Sequence, residues 1–172
     1  MKTLIYGGKH MLFPMEYVKN AGEINLEKLW AEGKRGIICD IDNTLCRDEQ
    51  FEVEPFAIEF INKAKAMGFK ICLMSNNGKA RVEPVAQFLN CSYHYKAHKP
   101  KREAYDTCLE KIGIPIENAI MVGDQLFTDI LGANRIGLYS VLVEKIDKKE
   151  IIQIKLKRPF EKLVLMFYKN KN

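Results

Sequence analysis

Two aspartates that directly follow an apolar run constrain this chain more than any other feature. Residues 36–39 are typical of a buried strand, and Asp40 and Asp42 stand at its carboxyl end. In an open α/β sheet, ligands bind in the crevice at the carboxyl ends of the strands. Because two acids at such an end repel each other, the pair is costly unless a cation or a reaction needs it. The pattern predicts a carboxylate nucleophile, a second carboxyl group that gives and takes a proton, and a hard divalent ion that holds both.

Three further segments also predict strands that end in polar groups. These groups are Ser75 after residues 69–74, Lys99 after residues 92–96, and Asp124 with Asp129 after residues 119–122. Each group is able to bind phosphate or metal. Since the carboxyl ends of parallel strands meet at one edge of a sheet, the four segments predict one shared site.

With these residues, the chain resembles the phosphatases of the haloacid dehalogenase (HAD) superfamily over about residues 34–143. The matching motifs are Asp40 and Asp42 with Thr44, then Ser75, then Lys99, then Gly123 and Asp124 with Asp129. The runs Asp-Ile-Asp-Asn-Thr-Leu, Ser-Asn-Asn and Gly-Asp-Gln-Leu-Phe-Thr-Asp-Ile are similar to subclass IIIA. That group includes the phosphatidylglycerophosphate phosphatases.

Strands that alternate with helices predict an α/β fold, a doubly wound (Rossmann-like) parallel sheet with right-handed crossovers. Apolar residues at helical spacing predict helical pieces between residues 15 and 31 and helices over residues 55–67, 78–89, 101–112 and 128–136. A fifth strand is predicted over residues 138–143. The resemblance implies five strands in the order 5-4-1-2-3, with the strand before Asp40 in the centre.

The resemblance also makes the lengths of two sequence intervals between the motifs informative. HAD enzymes commonly carry a cap domain after the first strand or between the second and third motifs. Only a flap, one helix and one strand fit between Thr44 and Ser75, and only one helix and one short strand fit between Ser75 and Lys99. We therefore expect a cap-less enzyme, whose open site suits a phosphate on a large body. Oligomerisation is the alternative source of a lid.

The predicted mechanism gives the two acids different roles. Asp40 attacks phosphorus and forms an aspartyl-phosphate, while Asp42 protonates the leaving alkoxide and later takes a proton from water. The predicted phosphate-binding residues are Asn43, Thr44, Ser75, Asn76 and Lys99, and the predicted Mg²⁺ ligands are Asp40, the backbone carbonyl of Asp42, and Asp124. Asp129 is expected to support the site by orienting Lys99 or a metal-bound water.

Other roles remain open for several of these residues. Helix capping is the alternative for Ser75 and Asp129. Turn formation is the alternative for Asn76 and Thr44, and a place on the surface is the alternative for Lys99.

Length and composition predict one domain. The chain has 172 residues, of which 47% are hydrophobic and 28% charged, enough apolar material for a core. We expect a single HAD-like phosphatase domain over residues 1–172. It divides into an N-terminal lead-in and helix (1–33), a catalytic core (34–143) and a basic amphipathic C-terminal tail (144–172).

The basic charge is concentrated at the C-terminal end. Residues 145–172 carry nine Lys or Arg and three Asp or Glu, whereas the rest of the chain has a net charge of −1. Basic residues around apolar ones in residues 148–172 predict peripheral contact with an anionic membrane. The alternative is that the apolar residues pack on the sheet. Nucleic acid is a disfavoured partner, because no aromatic stacking platform accompanies the charge.

The sequence contains neither an apolar run of membrane-spanning length nor a secretory signal pattern. Its five cysteines form no Cys-x-x-Cys pair, which favours a reducing cytoplasm, with a peripheral position at the inner face of the membrane. The sequence thus predicts a Mg²⁺-dependent phosphomonoester hydrolase for a lipid phosphate such as phosphatidylglycerophosphate. The alternatives are a phosphatase for a soluble sugar, nucleotide or nucleic-acid-end phosphate, and a non-catalytic phosphate-binding or ribosome-associated module.

Overall fold

The centre of the fold is a sheet of six parallel strands. The computed structural model describes residues 11–147, so the predicted membrane-binding segment 148–172 lies outside the described residues. The strands are β1 (Glu16–Val18), β2 (Gly36–Cys39), β3 (Lys70–Met74), β4 (Ser92–His94), β5 (Ala119–Gly123) and β6 (Tyr139–Val143). Their order is β1-β6-β5-β2-β3-β4.

Helices connect the strands and cover both faces of the sheet. They are α1 (Leu26–Ala31), α2 (Pro55–Ala66), α3 (Lys79–Phe88), α4 (Arg102–Ile112) and α5 (Leu131–Arg135), with 3₁₀ turns at Ala21–Glu23 and Ile116–Asn118 and a π-helical turn at Leu126–Ile130. Ile37 and Cys39 of β2 pack with apolar residues of α1, α2 and α3 on one face. Ile38, on the opposite face, packs with residues of α4 and α5. Alternate residues of a strand point to opposite faces, so β2 is buried on both sides.

The α/β class and the parallel sheet agree with the sequence prediction, but the sheet has six strands and not five. The five predicted strands lie in the predicted order, with β2 in the interior. The additional strand, β1, replaces the helical piece that was expected to begin at Met15. It pairs with the outer edge of β6, where Glu16 is opposite Val141 and Val18 is opposite Val143. Pairing satisfies backbone groups that an open edge would leave exposed, and a three-residue strand is too short to show a period of its own.

The helix predicted over residues 128–136 begins two residues early, as the π-helical turn. The amide N–H groups of Asp129 and Ile130 both donate to the carbonyl oxygen of Gln125, at 3.0 and 3.2 Å. This widened turn is a form that recurs at functional sites. Asp129 lies within this turn.

Neither of the two intervals contains a cap domain, as expected. Between Thr44 and Ser75 the chain forms a flap over residues 45–54, then α2 and β3. Between Ser75 and Lys99 it forms only α3 and β4. The carboxyl-terminal edge of the sheet is therefore cap-less within the described residues, as predicted. Within residues 11–147, no helix has the length and apolar character needed to cross a bilayer.

Candidate active site

Three neighbouring strands bring three of the predicted side chains to one edge of the sheet. β2 lies between β3 and β5. Asp40, Ser75 and Asp124 are the first residues after these strands, and all three are buried. The sheet topology thus collects groups that are far apart in the sequence.

A buried lysine joins two of the carboxylates. The Nζ of Lys99 donates to Oδ1 of Asp40 at 2.5 Å and to Oδ1 of Asp129 at 2.7 Å. No more than 5% of any of these three side chains is exposed. Burial alone would lower the pKa of Lys99, but Asp129 and Asp40 raise it above its ordinary value. Lys99 therefore stays a cation, because its charge is paired twice. This excludes the surface position that was its alternative.

The backbone of Lys99 is held by Asn76. Oδ1 of Asn76 accepts a hydrogen bond from the backbone N–H of Lys99 at 2.7 Å, and its Nδ2 donates to the carbonyl oxygen of Lys99 at 3.4 Å. The side chain of Asn76 thereby fixes the loop that carries the lysine. Its expected contact with phosphate stays a prediction.

Thr44 lies between Asp40 and Asp124, the acids that follow β2 and β5. Its Oγ1 lies 3.4 Å from Oδ2 of Asp40 and 3.4 Å from Oδ1 of Asp124. Oδ2 of Asp124 is buried and receives no hydrogen bond from the described residues. The ammonium of Lys145 lies 3.7 Å from that oxygen, which is an ion-pair distance rather than a hydrogen bond. A buried carboxylate oxygen in this position is suited to a further cation.

Asp129 is placed by the π-helical turn and by Gly123. Its Oδ2 accepts a hydrogen bond from the backbone N–H of Gln125 at 3.1 Å. A Cβ atom on Gly123 would lie 2.5 Å from Cγ of Asp129, closer than real Cβ contacts. The missing side chain at the end of β5 therefore makes room for this carboxylate.

The carboxylates of Asp40, Asp124 and Asp129 outnumber the two ammonium groups beside them, those of Lys99 and Lys145. Burial, with repulsion from Asp129 and Asp42, raises the pKa of Asp40 to about 7 although Lys99 acts in the opposite direction. Burial, followed by the charges of Asp40 and Asp129, raises the pKa of Asp124 well above its usual range. Both shifts mark a site in which the ionised forms need another positive charge.

The donor set fits a hard divalent cation. One carboxylate oxygen from each of Asp40, Asp124 and Asp129 lies within 4.8 Å of the other two. These are oxygen donors only, the kind that Mg²⁺ prefers. The Asp124 oxygen that accepts no hydrogen bond and the raised pKa values of Asp40 and Asp124 also favour a bound cation. The residues present therefore fit Mg²⁺.

The carboxylate of Asp42 belongs to a second group of contacts. Its Oδ1 accepts from Nε and Nη2 of Arg81 at 3.0 and 2.7 Å, and its Oδ2 accepts from Nδ2 of Asn77 at 2.9 Å. Oγ of Ser75 lies 3.5 Å from the same Oδ2 and accepts from the backbone N–H of Asn77 at 3.1 Å. Ser75 thus stands between the two groups, in the turn before α3.

Asn43 makes the sharp turn between these groups. Its φ of +61° lies in the left-handed region, which Asn adopts more readily than most residues. Its carbonyl oxygen accepts from the backbone N–H of Ile146 at 3.3 Å, and its Oδ1 accepts from that of Asp147 at 3.0 Å. The turn therefore ties the loop after β2 to the segment after β6. The expected phosphate contact of Asn43 stays a prediction.

Sequence reasoning missed Arg81 and Lys145 and assigned no catalytic role to Asn77. One signal for Arg81 was available, because it lies in the first turn of α3, where a positive charge is unfavourable and needs a nearby anion. Lys145 follows β6 in a segment that was assigned to the tail. No local pattern placed it beside Asp124.

Comparisons with known proteins identify the family of this chain. Residues 47–137 match the family model of the haloacid dehalogenase-like hydrolases. A probable phosphatase of Bacillus subtilis, YqeG, is 34% identical over 163 residues, which cover 95% of each chain. Phosphatidylglycerophosphate phosphatase 1 (chloroplastic/mitochondrial) of Arabidopsis thaliana is 29% identical over 160 residues, 86% of this chain and 45% of the relative.

A solved structure shares the fold. A hydrolase from Pseudomonas syringae has a TM-score of 0.54 with 16% identity, over 63% of this chain and 83% of the other. The chain belongs to the haloacid dehalogenase-like hydrolase family. It is a phosphatase of that family, as its motifs predicted.

Proposed function

We propose that this protein is a magnesium-dependent phosphomonoester hydrolase that works through an aspartyl-phosphate on Asp40. The observation that carries the proposal is the buried contact of Asp40 with Lys99 at the end of the central strand, beside an oxygen of Asp124 that accepts no hydrogen bond from the described residues. A nucleophile gains rate from fixed orientation, and a carboxylate becomes useful when a neighbouring charge balances that of the phosphate.

The other residues of the cluster serve this attack. Asp40, the backbone carbonyl of Asp42, and Asp124 would hold Mg²⁺, which when bound supplies positive charge against the phosphate and its transition state. Lys99 supplies a second positive charge, and Asp129 holds Lys99 in place. Thr44, Ser75 and the backbone N–H groups of Asn43 and Asn76 are assigned to the phosphate oxygens.

Asp42 is assigned to proton transfer. As the bond from phosphorus to the leaving oxygen breaks and the bond to Asp40 forms, Asp42 gives its proton to the leaving alkoxide. In the second half-reaction it takes a proton from the water that attacks the aspartyl-phosphate, which releases phosphate and restores Asp40.

We further propose a lipid phosphate such as phosphatidylglycerophosphate as the substrate. Two features support this choice besides the predicted basic segment 148–172. The Arabidopsis relative is named for that lipid phosphate, although this chain spans less than half of its length. The edge between Thr44 and Lys99 has no cap, so a bulky substrate is not excluded. Soluble sugar, nucleotide and nucleic-acid-end phosphates remain the competing substrates.

Turnover of 4-nitrophenyl phosphate with and without Mg²⁺ tests the reaction. We expect Asp40→Asn to lower kcat by roughly a thousandfold or more, and removal of Mg²⁺ with EDTA to have a comparable effect that added Mg²⁺ reverses. Asp106→Asn is the matched control, because its side chain is 40% exposed and its carboxylate forms an ion pair with Arg102 on the outer side of α4.

Three results would count against the proposal. Activity in Asp40→Asn equal to that of the wild type would reject the nucleophile. Activity unchanged by EDTA would reject the metal. No turnover of any phosphomonoester would favour the non-catalytic binding module.

A further inference from the structure

The proposed acid–base group, Asp42, is held by Arg81 of α3, whose side chain is largely covered. Nε and Nη2 of Arg81 both donate to Oδ1 of Asp42, at 3.0 and 2.7 Å. Only 12% of the Arg81 side chain and 13% of the Asp42 side chain are exposed. Because two donors in a rigid plane converge on one carboxylate oxygen, this contact fixes the position of that oxygen.

The placement of Arg81 does not favour stability. It lies in the first turn of α3, where the helix dipole is unfavourable for a cation, and that turn contains no acidic residue. Its Nη1 is buried and has no hydrogen-bond partner among the described residues. A buried N–H without an acceptor costs free energy. Nε and Nη2 of this guanidinium both donate to Asp42, and the thiol of Cys46 is a further neighbour.

Neighbouring groups keep the pair in place. The guanidinium carbon of Arg81 lies 5.1 Å from the ring centroid of Phe51, a residue of the flap that is 57% exposed. The other oxygen of Asp42 accepts from Nδ2 of Asn77 at 2.9 Å. The carboxylate is therefore fixed through both of its oxygens, one from α3 and one from the turn before it.

We propose that Arg81 is a positioning residue that aims Asp42 at the leaving oxygen of the substrate. The inference rests on the proposed function, since it acts through the proton transfer assigned to Asp42. A misplaced acid slows departure of a poor leaving group more than that of a good one, because a good one leaves without a proton. The loss on removing Arg81 should therefore depend on the leaving group.

The experiment compares kcat/KM for phenyl phosphate and for 4-nitrophenyl phosphate, whose leaving group departs without protonation. Asp42→Asn, Arg81→Gln, Arg81→Lys and the double variant Asp42→Asn/Arg81→Gln are measured beside the wild type. Arg102→Gln is the matched control, since Arg102 is an exposed residue of α4 paired with Asp106. Thermal unfolding of each variant reports on folding.

We expect Arg81→Gln to lower kcat/KM for phenyl phosphate by roughly ten- to a hundredfold more than for 4-nitrophenyl phosphate. Arg81→Lys should fall between it and the wild type, because an ammonium supplies the charge without the fork. In the Asp42→Asn background, Arg81→Gln should cause no further change in the ratio between the two substrates. Arg102→Gln should leave the ratio unchanged.

Two outcomes overturn the inference in different ways. If Asp42→Asn changes the ratio while Arg81→Gln and Arg81→Lys lower both substrates equally or not at all, Arg81 does not position Asp42 and the proposed function stands. If Asp42→Asn itself leaves the ratio unchanged, the acid role of Asp42 is rejected, and the inference about Arg81 with it.

Discussion

Lys99 is the residue on which the charge balance of the candidate site most depends. Its ammonium is the hydrogen-bonded cation between Asp40 and Asp129, two carboxylates that are otherwise buried side by side. Breaking a buried ion pair from one side leaves uncompensated charge, which costs more than the pair contributes when intact. Lys99 therefore has a structural effect as well as its proposed catalytic one.

We predict that Lys99→Met lowers kcat by roughly 10²–10³-fold, because a charge that stabilises the transition state is lost. In metal-free protein it should also lower the free energy of unfolding by about 3–5 kcal/mol. The measurements are turnover of 4-nitrophenyl phosphate and urea unfolding. Lys101→Met, a change at an exposed position two residues away, is the control. A Lys99→Met protein with the activity and stability of the wild type would show that this charge is dispensable.

A site residue could be predicted from the sequence when the neighbouring residues in the chain mark its position. Asp40 and Asp124 each follow an apolar run and Lys99 follows a short predicted strand, so the sequence indicated both their position and their meeting at one edge. The position of Arg81 in the first turn of α3 favours a nearby anion but does not identify which residue supplies it. The contact of Arg81 with Asp42 depends on how α3 packs against the loop after β2, which is tertiary information.

Among the secondary-structure elements, the end of β5 and the π-helical turn act as one unit. Gly123 ends the strand, and the turn brings the carboxylate of Asp129 directly over it. The turn also directs Asp129 towards Lys99. The alternative for Asp129, a plain helix cap, is disfavoured because its carboxylate binds Lys99 in addition to the amide of Gln125.

We predict that Gly123→Ala displaces Asp129 and lowers both stability and activity. The added Cβ would clash with a buried carboxylate, and overpacking of this kind costs about 1–3 kcal/mol. Gly78→Ala is the control, because a Cβ there meets no atom within 4 Å and its φ is −72°. Urea unfolding and turnover of both variants check this. Equal behaviour of the two variants would show that the close approach at Gly123 is unimportant.

The elements themselves were predictable where their patterns were long. The helices α2, α3 and α4 and the strands β2, β3 and β5 show periods or apolar runs that a reader of the sequence finds directly. β1 is different, because its three residues become a strand only through the exposed edge of β6. Strand pairing between distant segments overrode the helical spacing from Met15 onwards.

For the protein as a whole, the open edge between Thr44 and Lys99 leads to a prediction about substrate size. The described residues form no cap that closes around a small metabolite, so contacts beyond the phosphate would come from a large substrate, from its carrier surface or from a second subunit. We expect phosphatidylglycerophosphate in anionic vesicles to be hydrolysed with a higher kcat/KM than sugar, nucleotide or nucleic-acid-end phosphates.

Phosphate release across this panel measures the preference, with detergent-dispersed substrate as a control for the bilayer. If residues 148–172 bind the anionic surface, their deletion or high salt should weaken hydrolysis in vesicles and leave 4-nitrophenyl phosphate turnover unchanged. A soluble phosphate hydrolysed faster than every lipid would overturn the lipid assignment. The assignment of the protein as a phosphatase would remain.

The most direct test of the central claim is to find the phosphorylated residue. Wild-type protein is mixed with ³²P-labelled phosphomonoester and Mg²⁺, quenched in acid during the first turnover, and digested for mass spectrometry of the labelled peptide. The account predicts label on Asp40, with none in Asp40→Asn and none when Mg²⁺ is withheld. Label on any other residue, or turnover by a protein that never becomes labelled, would contradict it.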